Sequence, residues 1–154
     1  MAVGYQAGIP STIPMAEFND QHGHAAGDHV LQALARLLQE RARATDLVAR
    51  WGGEEFLVLL PDTSPAGARE VAEQLRLAVQ NTPFCWQQST VPVTVSAGAA
   101  TWSSGPFHAN ALIASADSAL YLAKNSGRNR VCVAADNALH LALPGGRSVE
   151  PIRA

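Results

Sequence analysis

Residues 46–60 read DLVARWGGEEFLVLL, and this stretch decides the fold. Two apolar-rich runs, 46–50 and 56–60, flank Gly52 and Gly53, and a glycine pair tolerates the positive φ that a tight hairpin turn needs. The second run is apolar at every position, which is typical of a strand covered on both faces. We therefore expect a β-hairpin whose second strand lies inside a packed sheet.

The tip of this hairpin has the chemistry of a phosphate site. Gly52 and Gly53 carry no side chains, so a phosphate group can approach the backbone N–H groups. Glu54 and Glu55 follow directly and offer the hard oxygen ligands that Mg²⁺ prefers. The combination suits a nucleoside triphosphate, although the hairpin alone is more often an ordinary tight turn with solvated acids.

Helical and strand patterns alternate on both sides of the hairpin. An apolar stripe from Val30 to Leu38 predicts a helix over about 28–43, with Asp28 capping or favouring its N-terminus. The remaining patterns predict a helix after Pro65, a strand over 91–99 with one well-buried face, a helix over about 112–123 and a short strand at 131–133. This order predicts an α/β (α+β) sandwich, with helices packed on a largely antiparallel central sheet.

The chain of 154 residues, 47% of them hydrophobic, has the length and apolar content of one domain. Residues 1–17 mix glycine, proline and small residues without lasting periodicity, so we expect them to be irregular or to hold one short strand. The domain itself is expected over 18–134. The tail, 135–154, is expected to be loosely ordered.

Composition excludes several classes of function. A net charge of −2 gives no broad basic surface for DNA or RNA. No apolar run approaches the roughly 20 residues of a membrane helix, and no signal peptide begins the chain. Cys85 and Cys132 are too few and too distant for a disulfide framework, which favours two core thiols in a reducing compartment. We expect a soluble cytoplasmic domain with no membrane contact, although a longer parent protein would be free to carry a membrane anchor.

Three segments, in order and suitably spaced, together resemble the GGDEF (diguanylate cyclase) family. They are FNDQHGHAAGD at 18–28, RATD at 43–46 followed by RWGGEEF at 50–56, and ADSALYLAKNSGRNR at 116–130. The joint occurrence of three motifs is far more specific than any one of them. The resemblance implies a nucleotidyl-cyclase-like, ferredoxin-like domain that binds guanine nucleotide.

The resemblance also implies roles for individual residues. At the hairpin, Gly52 and Gly53 would cradle phosphate, Glu54 would bind Mg²⁺, and Glu55 would assist at the metal or at the attacking ribose hydroxyl. The base and the phosphates would be held by Asn19 and Asp28, which match the guanine edge, and by Lys124 and Arg128, which grip the β- and γ-phosphates as cations. Taken singly, Asp28 also fits a helix cap, and the two cations also fit solvated surface charges.

In the family, two GTP-loaded subunits meet face to face, and each 3′-hydroxyl attacks the α-phosphate of the other GTP to give cyclic di-GMP. The resemblance therefore implies a homodimer. It also implies a product-inhibition site at Arg43 and Asp46, where an arginine fork and a carboxylate can bind a guanine. A surface ion pair at a helix end is the alternative. The family's further arginine, from the next helix, aligns with Gln74, beside Arg76.

The pattern departs from the family upstream of Asn19. Members carry a strand that ends in Asp-x-Asp-x-Phe-Lys, whose first aspartate binds metal, and here Ser11, Ile13, Met15 and Ala16 stand at those four positions. A weakened Mg²⁺ site should slow cyclisation by orders of magnitude while nucleotide binding survives. The lost strand would leave an edge that invites pairing with residues 3–13, with another chain or through a swap, so we expect altered oligomerisation.

Three functions therefore stay open. The first is a diguanylate cyclase, weak or inactive in this chain. The second is a cyclic di-GMP receptor that binds at Arg43 and Asp46 or at the hairpin without turning GTP over. The third is a transition-metal hydrolase site, for which the available ligands are Asp20, His22, His24, Asp28 and His29.

Overall fold

The hairpin around Gly52 and Gly53 forms in the computed structural model, which describes residues 2–8, 15–102, 106–134 and 150–151. Its strands are β2 (Leu47–Gly52) and β3 (Glu55–Leu59), paired antiparallel. The other elements, in chain order, are β1 (Ala2–Gly8), α1 (Met15–His22), α2 (His24–Arg41), α3 (Pro65–Asn81), β4 (Phe84–Trp86), β5 (Ser89–Val91), β6 (Thr94–Ala100), α4 (Ala109–Asn125), β7 (Val131–Val133) and β8 (Glu150–Pro151).

The main sheet has six strands in the order β7-β6-β1-β3-β2-β8. Every pairing in it is antiparallel except β6 with β7, which run parallel. Helices pack on this sheet, so the predicted class, an α+β sandwich on a largely antiparallel sheet, is confirmed. β4 and β5 form a separate two-stranded ribbon that the sequence patterns did not predict.

The N-terminal segment differs most from its prediction. Residues 2–8 form a seven-residue strand in the middle of the sheet, antiparallel to both β3 and β6. Helix α1 then begins at Met15, inside the segment expected to be irregular. The two strands that would have flanked the missing family strand therefore pair with this chain's own N-terminal residues. This is one of the three outcomes expected from the sequence. Ser11 and Ile13 lie outside the described residues.

Helix α2 begins four residues earlier than predicted. Gly23 precedes it with φ 84, a left-handed conformation that favours glycine. Asp28 consequently lies in the second turn rather than at the N-terminus, so the predicted cap is wrong. Helix α3 does have a side-chain cap, because the Ser64 hydroxyl accepts a hydrogen bond of 3.1 Å from the backbone N–H of Gly67.

Helices cover β6 on both faces, and all seven of its residues are buried, so the prediction of one well-buried face was too narrow. Val95, Ala97 and Ala99 belong to the larger core cluster, which includes residues of α2 and α3. On the other face Ala100 packs with residues of α4. A Cβ at Gly98 would overlap the backbone of Ala116 and Leu120, so the missing side chain lets α4 lie directly on the strand.

Two smaller expectations need correction. Cys85 is exposed and Cys132 only half-buried, so the thiols are not both core residues. In the tail, Glu150–Pro151 pairs with β2, while 135–149 and 152–154 lie outside the described residues. Among the helices of the described ranges, none has the length and apolar character to cross a membrane.

Candidate functional site

The turn between β2 and β3 is braced by an arginine of its own hairpin. Gly53 has φ 49, a left-handed conformation in which most side chains are strained. Arg50 donates two hydrogen bonds, from Nε (2.9 Å) and from its terminal nitrogen (2.6 Å), to the carbonyl oxygen of Gly53. The sequence patterns assigned no role to Arg50, although it lies within the matched RWGGEEF segment. These two hydrogen bonds therefore fix the conformation of the turn.

Space around this turn admits a ligand to the backbone. A Cβ placed on Gly52 or on Gly53 would meet no atom of the described residues within 4 Å. Both glycines are exposed, and Glu54 and Glu55 beside them are half-buried. An anion could therefore approach the backbone at this tip without displacing any described side chain.

The C-terminal end of α4 brings a cation to the same turn. Lys124 Nζ lies 3.6 Å from Glu55 Oε1, and the two side chains are 27% and 29% exposed. Lys124 is the only lysine in the chain. Partial exposure leaves both groups within reach of a solvent-borne ligand. The structure thus brings together two predicted site residues that are 69 positions apart in sequence.

A shallow cleft separates the hairpin from α4. Its lining is mostly apolar, with two carboxylates: Trp51, Glu55, Phe56, Leu57, Ile113, Asp117 and Leu120. Trp51 is half-buried against this cleft, which agrees with a packing role for its ring. Leu57 of β3 packs with Leu112 and Ala116 of α4, and this packing holds the hairpin against the helix that carries Lys124.

Asn19 lies on α1 with its side-chain oxygen buried against α2. A Cβ at Gly27 would collide with this oxygen and would lie 2.9 Å from Asn19 Cγ, so only glycine leaves room for the side chain. Asn19 Oδ1 has no hydrogen-bond donor among the described residues. A buried amide oxygen without a partner costs free energy, so this oxygen needs a donor that the described residues do not supply. Asp28, one residue beyond Gly27, is exposed.

Arg128 follows α4 in a strained loop. It is exposed and has φ 57, and its backbone N–H donates to the carbonyl of Ala123 at 3.0 Å, which closes the end of the helix. Lys124 and Arg128 therefore lie on either side of this helix end, as the motif predicts. The structure places Lys124 at the hairpin; it gives no direct contact between Arg128 and the turn.

The Arg43 and Asp46 pair is joined through the backbone. Asp46 Oδ2 accepts a hydrogen bond of 2.8 Å from the backbone N–H of Arg43, and the Asp46 N–H donates to the Arg43 carbonyl at 2.9 Å. Within the described residues no ion pair joins the two side chains, so the alternative of a surface ion pair is not what forms. The Arg43 side chain is exposed. This corner precedes β2 and lies roughly 20 Å from the Gly52 turn, the length of six extended residues.

The described residues fit Mg²⁺ only in part. Glu54 and Glu55 are adjacent carboxylates at the turn, but no group of three or more acidic, histidine or cysteine side chains in the described ranges is arranged to hold a metal. Mg²⁺ in nucleotide sites needs only one or two protein carboxylates, because phosphates and waters complete its shell. The same finding counts against the hydrolase cluster of Asp20, the histidines and Asp28, all of which are described.

Comparison with known proteins adds an independent finding. Residues 15–130 match the family described as "Diguanylate cyclase, GGDEF domain". The matched region starts at Met15, after β1. It contains the hairpin, the α1–α2 segment and the end of α4.

Individual relatives are similar over the same region. The chain is 45% identical over 112 residues to diguanylate cyclase DgcP of Pseudomonas aeruginosa, covering 73% of this chain and 16% of that protein. It is similar to the active GGEEF domain of a diguanylate cyclase from Vibrio cholerae, with 33% identity and a TM-score of 0.73 over 87% of this chain and 83% of that one.

A third similar structure is the GGDEF domain of DgcB from Caulobacter crescentus in complex with c-di-GMP, with 29% identity and a TM-score of 0.75 over 86% of this chain and 77% of that one. The chain spans only 16–30% of the length of the first two curated relatives that it matches.

Proposed function

We propose that this chain, which belongs to the GGDEF (diguanylate cyclase) family, binds guanosine triphosphate at the Gly52–Glu55 turn. The phosphates would lie at the glycines and at Lys124, and the base would lie at Asn19. Cyclic di-GMP would be the product of any turnover.

The observation that carries the proposal is the ion pair between Lys124 and Glu55, the second residue after the glycine pair. A lysine next to backbone that is free of side chains is a recurrent way to hold the terminal phosphates of a nucleotide. Its present partner, Glu55, is a single partly exposed carboxylate at 3.6 Å, and such a pair contributes little stability. A phosphate can therefore take over the lysine at small cost.

Asn19 supports guanine as the base. Its buried Oδ1 lacks a donor among the described residues, and guanine presents N1–H and N2–H donors that an amide oxygen can accept. Asp28, exposed on the following helix, would add a carboxylate that also accepts from these donors. Adenine has no N1–H, so the pair would discriminate against ATP.

Mg²⁺ would be held by Glu54, by the nucleotide phosphates and by water. When bound, it would neutralise charge that develops on the phosphates during transfer. Ser11 stands where the family's metal-binding aspartate is expected, so one carboxylate of the family set is missing from the sequence. We therefore propose that nucleotide binding persists and that cyclisation is slow or absent.

Turnover would require two copies of the chain, because one hairpin face holds one GTP and cyclic di-GMP contains two nucleotides. We therefore propose a homodimer that forms around nucleotide. A GTP-dependent domain of this kind would work in the cytoplasm, where its substrate is.

A second candidate function, a cyclic di-GMP receptor, is favoured by one observation at the Arg43 corner. Asp46 Oδ1 is buried and accepts no hydrogen bond from the described residues, while the neighbouring Arg43 side chain is exposed. A guanine with its N–H donors would satisfy this oxygen, and the guanidinium would bind the Hoogsteen edge or a phosphate. Such binding does not need the missing aspartate.

Calorimetric titration of GTP with Mg²⁺ tests the main proposal. Replacing Lys124 by Gln removes the charge and should weaken GTP binding by about tenfold to a hundredfold, the usual effect of losing a charged hydrogen bond. Arg69→Gln, which removes an exposed charge on α3, is the matched control and should bind as the unaltered chain does. Equal affinities of Lys124→Gln and the control would refute the proposed phosphate site.

Titration with cyclic di-GMP separates the two candidate functions. Arg43→Ala should abolish cyclic di-GMP binding and leave GTP binding intact, since the two sites lie at opposite ends of β2. Incubation with GTP and Mg²⁺, followed by chromatography for cyclic di-GMP, measures turnover. Binding of cyclic di-GMP without turnover identifies a receptor, and turnover identifies a cyclase.

A further inference from the structure

A buried arginine on α3 connects this helix to the loop that carries Arg128. Arg76 is only 8% exposed, and a buried guanidinium needs acceptors for its N–H groups. Its Nε donates to both carboxylate oxygens of Glu73 at 3.0 Å, and its second terminal nitrogen donates to Glu73 Oε1 at 2.6 Å. Its first terminal nitrogen donates to Gln80 Oε1 at 2.7 Å and to Asn129 Oδ1 at 2.8 Å.

Asn129 is the residue through which Arg76 reaches the loop. Arg128 and Asn129 are consecutive residues at φ 57 and 44, and left-handed backbone is uncommon outside glycine and costs free energy. Two further hydrogen bonds hold Asn129: its backbone N–H donates to Ser96 Oγ at 3.2 Å, and its Nδ2 donates to Gln80 Oε1 at 3.0 Å. Arg128 is held at its backbone, where its N–H donates to Ala123 and its carbonyl accepts from Arg130 Nε at 3.1 Å. The side chain of Asn129 is what joins this strained pair to α3.

We infer that Arg76 is a positioning residue for the phosphate end of the nucleotide site, because its hydrogen bond to Asn129 sets the backbone from which Arg128 projects. The inference rests on the proposed function. It adds a residue that touches no nucleotide and lies on a helix outside the three matched motifs.

The contacts of Arg76 also decide against a different role. Arg76 stands near the position where the family supplies a further arginine to the product-inhibition site. All three of its guanidinium nitrogens already donate to protein acceptors, and the side chain is buried, so it is not available to an exposed ligand. Arg76 therefore does not complete the Arg43 corner. Gln74, at the aligned position, donates to Glu70 at 3.2 Å.

Amide hydrogen exchange on the nucleotide-free protein tests the positioning step directly. Arg76→Met keeps a long stem and good helix propensity but removes all of the donors. Asn129→Gly removes the side chain while keeping a residue that tolerates positive φ. Both changes should speed exchange of the 128 and 129 amides by about tenfold, the loss of roughly one charged hydrogen bond. Arg36→Met, an exposed change on α2, should leave these rates unaltered.

Nucleotide titration then tests the consequence for the ligand. Arg76→Met and Asn129→Gly should weaken GTP binding by about tenfold and change GMP binding by less than twofold, because Arg128 acts on the β- and γ-phosphates alone. A general structural defect would weaken both ligands equally, and that result would overturn the inference. So would unchanged exchange at 128 and 129.

The two arms separate failure of this inference from failure of the proposed function. If the unaltered chain binds neither GTP nor GMP, the proposed function fails and the ligand role of Arg76 fails with it. The exchange measurement still decides whether Arg76 holds the loop. If the unaltered chain binds GTP but the GTP-to-GMP preference is the same in both variants, only the inference about Arg76 is wrong.

Discussion

Gly27 lies in the interior of α2, where a glycine normally costs a helix about 1 kcal/mol relative to alanine. Its Cβ position is filled by the side chain of Asn19, whose oxygen is buried there without a donor among the described residues. The glycine therefore gives up helix stability and makes room for a group that can accept from a ligand. This exchange is what we expect at a binding site.

Gly27→Ala should separate stability from binding. The new Cβ gains helix propensity but pushes Asn19 out of its place, so the free energy of unfolding should change by only about 1 kcal/mol while GTP affinity falls at least about tenfold. Urea denaturation and calorimetry measure the two effects. Gly67→Ala on α3, another helical glycine, is the control. Full GTP affinity in Gly27→Ala would show that Asn19 does not hold the base.

Single residues were predictable from sequence only as members of motifs. The segment FNDQHGHAAGD identified Asn19 and Asp28, yet the collision between Gly27 and Asn19 depends on how α1 crosses α2, which no periodicity reveals. Arg50 was inside a recognised motif but had no assigned role, because its bond to Gly53 depends on the shape of the turn. The contact of Lys124 with Glu55 likewise required the fold.

At the scale of elements, α3 carries an ion pair between Arg76, which is buried, and Glu73, whose side chain is 45% exposed. The hydrogen bond from Arg76 is the main reason that the pKa of Glu73 lies below its ordinary value, and burial opposes it only in part. A lowered pKa in the folded state means that the charged form is stabilised by folding. The pair therefore stabilises the protein above the unfolded pKa, and this contribution is lost as the pH falls through the lowered folded pKa.

Glu73→Gln should accordingly reduce the fall in the free energy of unfolding as the pH is lowered. Unfolding by urea at about pH 6 and at about pH 2 compares a condition in which the Glu73 carboxylate is charged with one in which carboxyl groups are generally protonated. The unaltered chain should lose more stability between the two than Glu73→Gln does. Glu70→Gln, one turn earlier and exposed, is the control. Identical losses in Glu73→Gln and the unaltered chain would contradict the assignment.

Element types were predictable and element ends were less so. Apolar spacing identified the long helices and the hairpin strands, because their burial repeats with the helix or strand period. The start of α2 was missed by four residues, since Gly23 rather than an acidic cap begins the helix. The β4–β5 ribbon was missed because Phe84–Val91 shows no alternation. The second buried face of β6 was missed because it is created by α4, which packs directly on the strand at Gly98.

At the scale of the whole molecule, the sheet is completed by the N-terminal strand. β1 pairs with β3 and with β6, so it joins the hairpin half of the sheet to the half that carries α4. Local patterns allowed only a short strand there, because AVGYQAG contains two glycines and little alternation. Pairing by residues 3–13 was one of the outcomes expected from the missing family strand. The place of β1 is explained by the two neighbouring strands, whose backbone N–H and C=O groups need hydrogen-bond partners, and not by local strand propensity.

Deleting residues 2–8 should expose both neighbouring strands as free edges. Free edges promote pairing between chains, so light scattering should detect larger species at concentrations where the full chain gives one size. The free energy of unfolding should also fall, because two rows of backbone hydrogen bonds are lost. An unchanged size distribution together with unchanged stability would show that β1 is not needed to complete the sheet.

The central claim, that a glycine turn and Lys124 together hold the phosphates of GTP, is tested most directly by the reactivity of Lys124. Because it is the only lysine in the chain, acylation with an amine reagent followed by mass spectrometry of the peptide reports on this one side chain. Saturating GTP with Mg²⁺ should slow its acylation by about tenfold or more, and guanosine, which has no phosphates, should leave the rate nearly unchanged. An acylation rate that is the same with and without bound GTP would contradict the account.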